Sequence, residues 1–121
     1  MSKFLFKETA SGVKFDLVAT NGQVILSSEV YTTRASAMKG VASIRSNAPA
    51  AGVENQTEEG WQVLRHPKFE MYQDKAGEYR FRLKARNGKI VGVSEGYTGK
   101  AGCLNGIDSV KSNAAGAEIE K

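Results

Sequence analysis

The chain has one cysteine, Cys103, one histidine, His66, and two prolines in 121 residues, and each shortage closes off a class of protein. A single cysteine cannot form an intramolecular disulfide, so nothing points to an oxidising compartment. One histidine and one cysteine cannot furnish a structural zinc site, which takes four ligands of those types. No apolar run approaches the ~18–20 residues that a membrane span needs. The start, Met1-Ser2-Lys3-Phe4-Leu5-Phe6-Lys7-Glu8, has too short an apolar stretch for a secretory signal and lacks a small-residue cleavage site. Cytoplasm is the default expectation. A dominant charge is lacking as well: the net charge is +4, which permits contact with nucleic acid or an acidic partner without requiring either.

What is present is a repeat. Thr20-Asn21-Gly22-Gln23, Ser28-Glu29-Val30-Tyr31-Thr32 and Gly40-Val41-Ala42-Ser43-Ile44-Arg45-Ser46-Asn47-Ala48 return as Arg86-Asn87-Gly88-Lys89, Ser94-Glu95-Gly96-Tyr97-Thr98 and Gly106-Ile107-Asp108-Ser109-Val110-Lys111-Ser112-Asn113-Ala114. The copies superpose without a gap at an offset of about 66 residues. A unit this short cannot bury its apolar face alone, so the two copies are expected to complete one core and to act as a monomer. The expected organisation is one pseudo-dimeric domain: repeat one over 3–48, a connector over 49–67, repeat two over 68–121. The connector carries Glu54, Glu58 and Glu59 against Arg65, with breaker signals at Pro49-Ala50-Ala51-Gly52 and Glu59-Gly60.

Tyr79-Arg80-Phe81-Arg82-Leu83-Lys84-Ala85 alternates strictly, the period of a strand with one buried face. Asn87-Gly88 and then Ile90-Val91-Gly92-Val93 follow, and Asn-Gly between apolar runs favours a type I′ hairpin with positive φ at both residues. The first copy repeats the pattern with Phe15, Leu17 and Ala19, then Asn21-Gly22, then Val24-Ile25-Leu26. Upstream, Phe4-Leu5-Phe6 and Phe69-Glu70-Met71-Tyr72 read as first strands, with turns at Ser11-Gly12 and Ala76-Gly77. A helix comes next in each copy, with Thr32 and Thr98 as N-caps. Ala37, Met38, Val41, Ile44 and Ala48 share one helical face, as do Leu104, Ile107, Val110 and Ala114, and Pro49 and Gly116 close the helices. A mid-helix glycine costs about 1 kcal/mol relative to alanine. Its retention at Gly40 and Gly106 implies close approach by another backbone, unless duplication merely inherited it.

These residues resemble the YegP-like family of small bacterial proteins. The pattern is Asn-Gly, then Ser-Glu-x-Tyr-Thr, then Ala-x-x-x-x-Gly-[Val/Ile]-x-Ser-[Ile/Val]-[Arg/Lys]-Ser-Asn-Ala, and it is met in both copies. The resemblance implies an α+β fold of tandem β-β-β-α-β repeats. They would form one antiparallel sheet with two helices packed on one face and the last strands exchanged between repeats. Trp61-Gln62-Val63-Leu64 is the candidate for apolar packing around the first exchanged strand, and Ala117-Glu118-Ile119-Glu120 for the second. The resemblance implies no activity, because the family is functionally uncharacterised.

Chemistry finds little footing. His66 lies in the connector against Pro67, a poor setting for a general base. Cys103 occupies the helix position of Ala37, as a small buried residue would. Gly96-Tyr97-Thr98-Gly99-Lys100-Ala101 opens a helix and invites anions through free amides and Lys100, but it has neither the spacing nor the hydroxyl of a P-loop. No cofactor motif is found. The duplicated Ser28-Glu29-x-Tyr31 and Ser94-Glu95-x-Tyr97 read either as ligand-orienting groups or as anchors of the strand-to-helix junction, and duplication favours anchors. The same holds for the other repeated residues: Asn21, Gly22, Gly40, Asn47, Asn87, Gly88, Gly106 and Asn113. If Phe81, Leu83 and Ala85 face the helices, Arg80, Arg82, Lys84 and Arg86 face the other way, with Val91 opposite Lys84 and Val93 opposite Arg82. That row is either a nucleic-acid or polyanion contact or a solvated face. The function expected is a non-enzymatic interaction module of unknown ligand. Polyanion binding is the alternative, and an enzyme built on the Ser-Glu-x-Tyr junction is a weaker one.

Overall fold

Alternating side chains and glycine turns build the same three strands twice. In the computed structural model, which describes residues 1–120, the first half runs β1 (Lys3–Thr9), β2 (Gly12–Val18), β3 (Val24–Ser27), α1 (Arg34–Asn47) and β4 (Gly52–Asn55). The second runs β5 (Lys68–Gln73), β6 (Tyr79–Lys84), β7 (Ile90–Val93), α2 (Lys100–Ala114) and β8 (Glu118–Glu120). A short 3-10 turn, Ala48–Ala50, carries Pro49 between α1 and β4.

One eight-stranded sheet results, in the order β4-β5-β6-β7-β3-β2-β1-β8. The six inner strands are antiparallel, but β4 runs parallel to β5 and β8 parallel to β1. The expectation of a wholly antiparallel sheet is thus corrected at both edges. Gly52 enters beside Lys68, so β4 and β5 start from the same end, and residues 56–67 must return the chain along the sheet, as parallel neighbours require. β4 also lies earlier than Trp61-Gln62-Val63-Leu64, which form no strand. Trp61 is exposed, and the segment instead folds back over Glu54, whose Oε1 accepts from the Leu64 backbone N–H at 2.7 Å.

Parity then sorts the side chains. Phe4, Phe15, Leu17 and Leu26 in one half, and Phe69, Met71, Phe81 and Leu83 in the other, are fully buried on the helix side. They join Ala37, Val41, Ile44, Cys103, Ile107 and Val110 in one core, each large apolar side chain contributing about 1.5–3 kcal/mol by leaving water. Each helix straddles the halves: α1 packs on β2 and β7, α2 on β3 and β6. The sheet itself is thinner at that junction, where β3 and β7 share one registered pair, Ser27 with Val93. The opposite face carries a register row across all eight strands: Glu54, Glu70, Arg82, Val93, Ser27, Asp16, Leu5 and Glu120.

Several local expectations change. Asn21 and Asn87 do not take positive φ; only Gly22 and Gly88 do. The Gly88 N–H bonds the Ala85 carbonyl and the Ala85 N–H bonds the Lys89 carbonyl, which makes a type I turn followed by a left-handed glycine, not type I′. The bulge between Leu83 and Lys84 sets Ile90, not Val91, opposite Lys84, and turns Val91 into the core. Val93 does face Arg82. The N-caps are Thr33, whose hydroxyl accepts from the Ser36 N–H at 3.1 Å, and Gly99, which has no side chain to offer. Met38 and Leu104 are exposed, and Cys103 takes the buried place in α2. The close approach at the helix glycines is by a side chain rather than a backbone: a methyl on Gly40 or Gly106 would overlap the hydroxyl of Tyr31 or Tyr97.

Candidate functional site

The repeated signature is spent on the junction between third strand and helix. Ser28 Oγ accepts from the Phe15 N–H at 2.9 Å and donates to the Glu29 carbonyl at 2.8 Å. Ser94 does the same with Phe81 and Glu95, at 2.9 and 2.8 Å. Both hydroxyls are therefore occupied by backbone, which leaves no free nucleophile there. Tyr31 exchanges backbone hydrogen bonds with Val13, and Tyr97 with Tyr79. Their rings lie nearly parallel to Phe15 and Phe81, at 6.2 and 6.3 Å, and burial pushes both phenols up from their ordinary range. Asn47 and Asn113 each donate to the carbonyl one turn back, Ser43 and Ser109, at 2.8 Å. Asn21 and Asn87 accept from the Gln23 and Lys89 N–H groups at 3.0 Å. Glu29 and Glu95 are exposed.

The basic row does not stand free. Arg80 Nε is 2.7 Å from Asp74, Arg82 Nε is 2.6 Å from Glu70, and Lys84 Nζ is 3.2 Å from the second Glu70 oxygen. Lys68 joins Glu70 at 3.2 Å and Glu54 at 2.7 Å beneath the folded-back connector. Burial pushes the Glu70 carboxyl up, but hydrogen bonds from Arg82, Lys84 and Lys68 outweigh it and hold its pKa at about 2. Arg86, at the hairpin turn, and Lys100, in the first turn of α2, are exposed and form no salt bridge among the described residues.

His66 is exposed near Gly88, and Cys103 is buried. Burial pushes the Cys103 thiol up to about 11, so it stays protonated at neutral pH and is a poor nucleophile. Among the described residues no cluster of three or more His, Cys, Asp or Glu is arranged to hold a metal ion, and no helix is long and apolar enough to cross a membrane.

A broad concavity lies elsewhere, between α1 and the β6–β7 hairpin. It is an open cleft of about 950 Å³ lined by Glu29, Tyr31, Ser36, Lys39, Gly40 and Ser43 on one side and by residues 84–85 and 87–91 on the other. Both halves build it, because α1 reaches across to β7. A smaller cleft of about 310 Å³, lined by Gln23, Val24, Glu95, Gly96 and Tyr97, occupies the matching place at the other junction. Neither Lys39 nor Lys89 is among the residues singled out from sequence. The signal for them was the mismatch at otherwise matched positions, Lys39 against Asn105 and Lys89 against Gln23.

With this geometry in place, likeness to known proteins is informative. The family described as Domain of unknown function (DUF1508) matches residues 9–55 and again residues 74–120. A UPF0339 protein YegP of Escherichia coli O157:H7 is 36% identical over 116 residues, 96% of this chain and 92% of that protein. The solved solution structure of an E. coli YegP protein of unknown function superposes with a TM-score of 0.78 at 34% identity, covering 98% of this chain and 90% of that one. A UPF0339 protein of Methanosarcina acetivorans is 60% identical over 52 residues, which is 90% of its own length but 43% of this chain. That relative is about the size of one copy.

Proposed function

The chain belongs to the YegP-like, UPF0339 family built on the DUF1508 domain, whose function is unknown, and from that premise we propose that it is a binding module rather than an enzyme. The observation that carries the reading is the open 950 Å³ cleft between α1 and the β6–β7 hairpin, of the size ligand sites usually have. Among its polar side chains Ser36, Ser43, Lys84 and Asn87 are engaged within the fold, whereas Lys39 and Lys89 are exposed and form no salt bridge among the described residues. We read β4 and β8 as strands exchanged between the copies, so that the two halves form a monomeric pseudo-dimer. The parallel pairings of β4 with β5 and β8 with β1 support this, as does a relative of single-copy size. On this reading the exchange matters for function, because it locks α1 over the second hairpin and so creates the cleft.

The basic row is a poorer site, since Asp74 and Glu70 already accept from Arg80, Arg82 and Lys84. The test is a fragment titration of the isotopically labelled chain followed by backbone amide shifts. Changes at Gly40, Ser43, Gly88 and Val91, abolished by a cleft-filling Ser43→Trp variant that keeps its dispersed spectrum, are expected. Shifts centred on residues 80–84 would instead favour the row, and an unresponsive cleft would overturn the reading.

A further inference from the structure

Duplication supplies an internal control for the ligand of this cleft. Residues common to both clefts are Glu29 and Glu95, whose backbone carbonyls accept from Ser28 and Ser94, and Tyr31 and Tyr97, whose rings pack against Gly40 and Gly106. What differs is chemistry. Lys39 on α1 and Lys89 on the hairpin line the large cleft, and their matched residues are Asn105 and Gln23. Both lysines are exposed and neither forms a salt bridge among the described residues, whereas Lys3, Lys7, Lys14, Lys68 and Lys84 on the sheet all do.

The lining therefore holds two uncommitted ammonium groups against one carboxylate, Glu29. Lys84 also borders the cleft, but its ammonium is taken by Glu70. Beside the lysines, Ile90 is 40% exposed. Its neighbour Val91 also borders the cleft, although the bulge at Leu83/Lys84 leaves it mostly buried in the core. A cation pair next to exposed aliphatic surface selects a ligand with one acidic end and an apolar body.

We propose that the cleft binds a small amphipathic organic anion, with its acidic group between Lys39 and Lys89 and its hydrocarbon part against Ile90. The proposal rests on the cleft being a binding site and adds the sign and shape of the ligand. The two lysines come from opposite walls and from different halves, Lys39 from α1 and Lys89 from the hairpin connection just before β7. Charge-assisted hydrogen bonds of this kind contribute enough for about tenfold in affinity each.

The experiment titrates the full labelled chain with decanoate and, separately, with decyltrimethylammonium and decanol, all below their aggregation limits. Decanoate is expected to move the amides of Gly40, Gly88 and Lys89 but not those of Gln23, Gly96 and Tyr97 in the smaller cleft. Lys39→Gln and Lys89→Gln should each weaken it about tenfold, and Lys39→Arg should retain binding. Equal binding of all three probes in the large cleft overturns the anion assignment while leaving the cleft a binding site. Equal response of both clefts to decanoate overturns the role of the lysines. A cleft that answers to neutral fragments but to no decyl probe overturns the amphipathic shape.

Discussion

Lys68 with Glu54 and Lys3 with Glu120 are the same pair made twice, yet they live in different surroundings. Each joins the first strand of one half to the strand that follows the helix of the other, at 2.7 and 3.1 Å. The first pair is closed off, with side chains 4% and 1% exposed, while the second stands open at 36% and 52%. The difference is cover: residues 56–67 fold back over Glu54 and place the Leu64 N–H on it, and no described segment lies over Glu120 in the same way. A repeated contact thus carries different energetic weight in each half, because desolvation and not geometry decides what an ion pair is worth.

The largest effect should come from removing one half altogether. A chain cut after residue 55 keeps β4 but loses β5, and its β1 loses β8, so two edges and the helix-covered core lie open. It is expected to be unfolded or a homodimer by light scattering and circular dichroism; a folded monomer would show the halves to be independent and end the comparison. Next comes the covered pair. Lys68→Ala strands Glu54 and part of Glu70 without their buried cation and should cost about 3–5 kcal/mol in urea unfolding, whereas Lys3→Ala should cost less than ~1 kcal/mol. Equal costs would mean that the connector does not exclude water.

How far this was legible from sequence follows the same division. Strand parity was readable, because Phe81, Leu83 and their partners in the first copy alternate with charges. The edges were not: β4 is four residues with one apolar side chain, Val53, so the eye goes to the more hydrophobic Trp61-Gln62-Val63-Leu64. The match of Ala51 and Glu54 to Ala117 and Glu120 was the better guide, since it marks the strand by its equivalence to β8. The turn class was missed because Asn-Gly serves a type I turn with a left-handed glycine as readily as type I′. Arg80, Arg82 and Lys84 fall on β6 while Arg86 falls in the turn beyond it, and the neutralisation of the three strand cations depends on Glu70, one strand away, and on Asp74 in a turn. The cleft was invisible because Lys39 and Lys89 come from different halves and meet only when α1 crosses to β7.

A smaller and symmetric effect is expected at the helix glycines. Gly40→Ala and Gly106→Ala would each push a methyl into a tyrosine hydroxyl, and overpacking of this kind costs about 1–3 kcal/mol. Tyr31→Phe should relieve the first in part and Tyr97→Phe the second in part, measured as partial recovery of the thermal midpoint, because the ring carbon that bore the hydroxyl still lies 2.8 Å from the added methyl. Relief in only one copy would show that the junctions, unlike the ion pairs, have diverged in packing.

The change that best separates the two outer faces concerns their central acids. In the second half the acid is Glu70 on β5, held at about 2. In the first half the matching row has Leu5 on β1, and the acid is Asp16 on β2. Burial pushes Asp16 up, but the hydrogen bonds from Lys7 and Ser27 leave its carboxyl below the usual carboxylate range. A depressed folded-state pKa means stability that is present above the unfolded value, near 4.5 for Glu70, and lost as pH falls toward about 2. Glu70→Gln should therefore be less stable than the parent at pH 7, lose less stability between pH 5 and 2, and converge with it at the acid end. Asp16→Asn should flatten the same acid limb through the first half. If Glu70→Gln leaves the acid slope unchanged while Asp16→Asn flattens it, the covered face is not where the charge network does its holding.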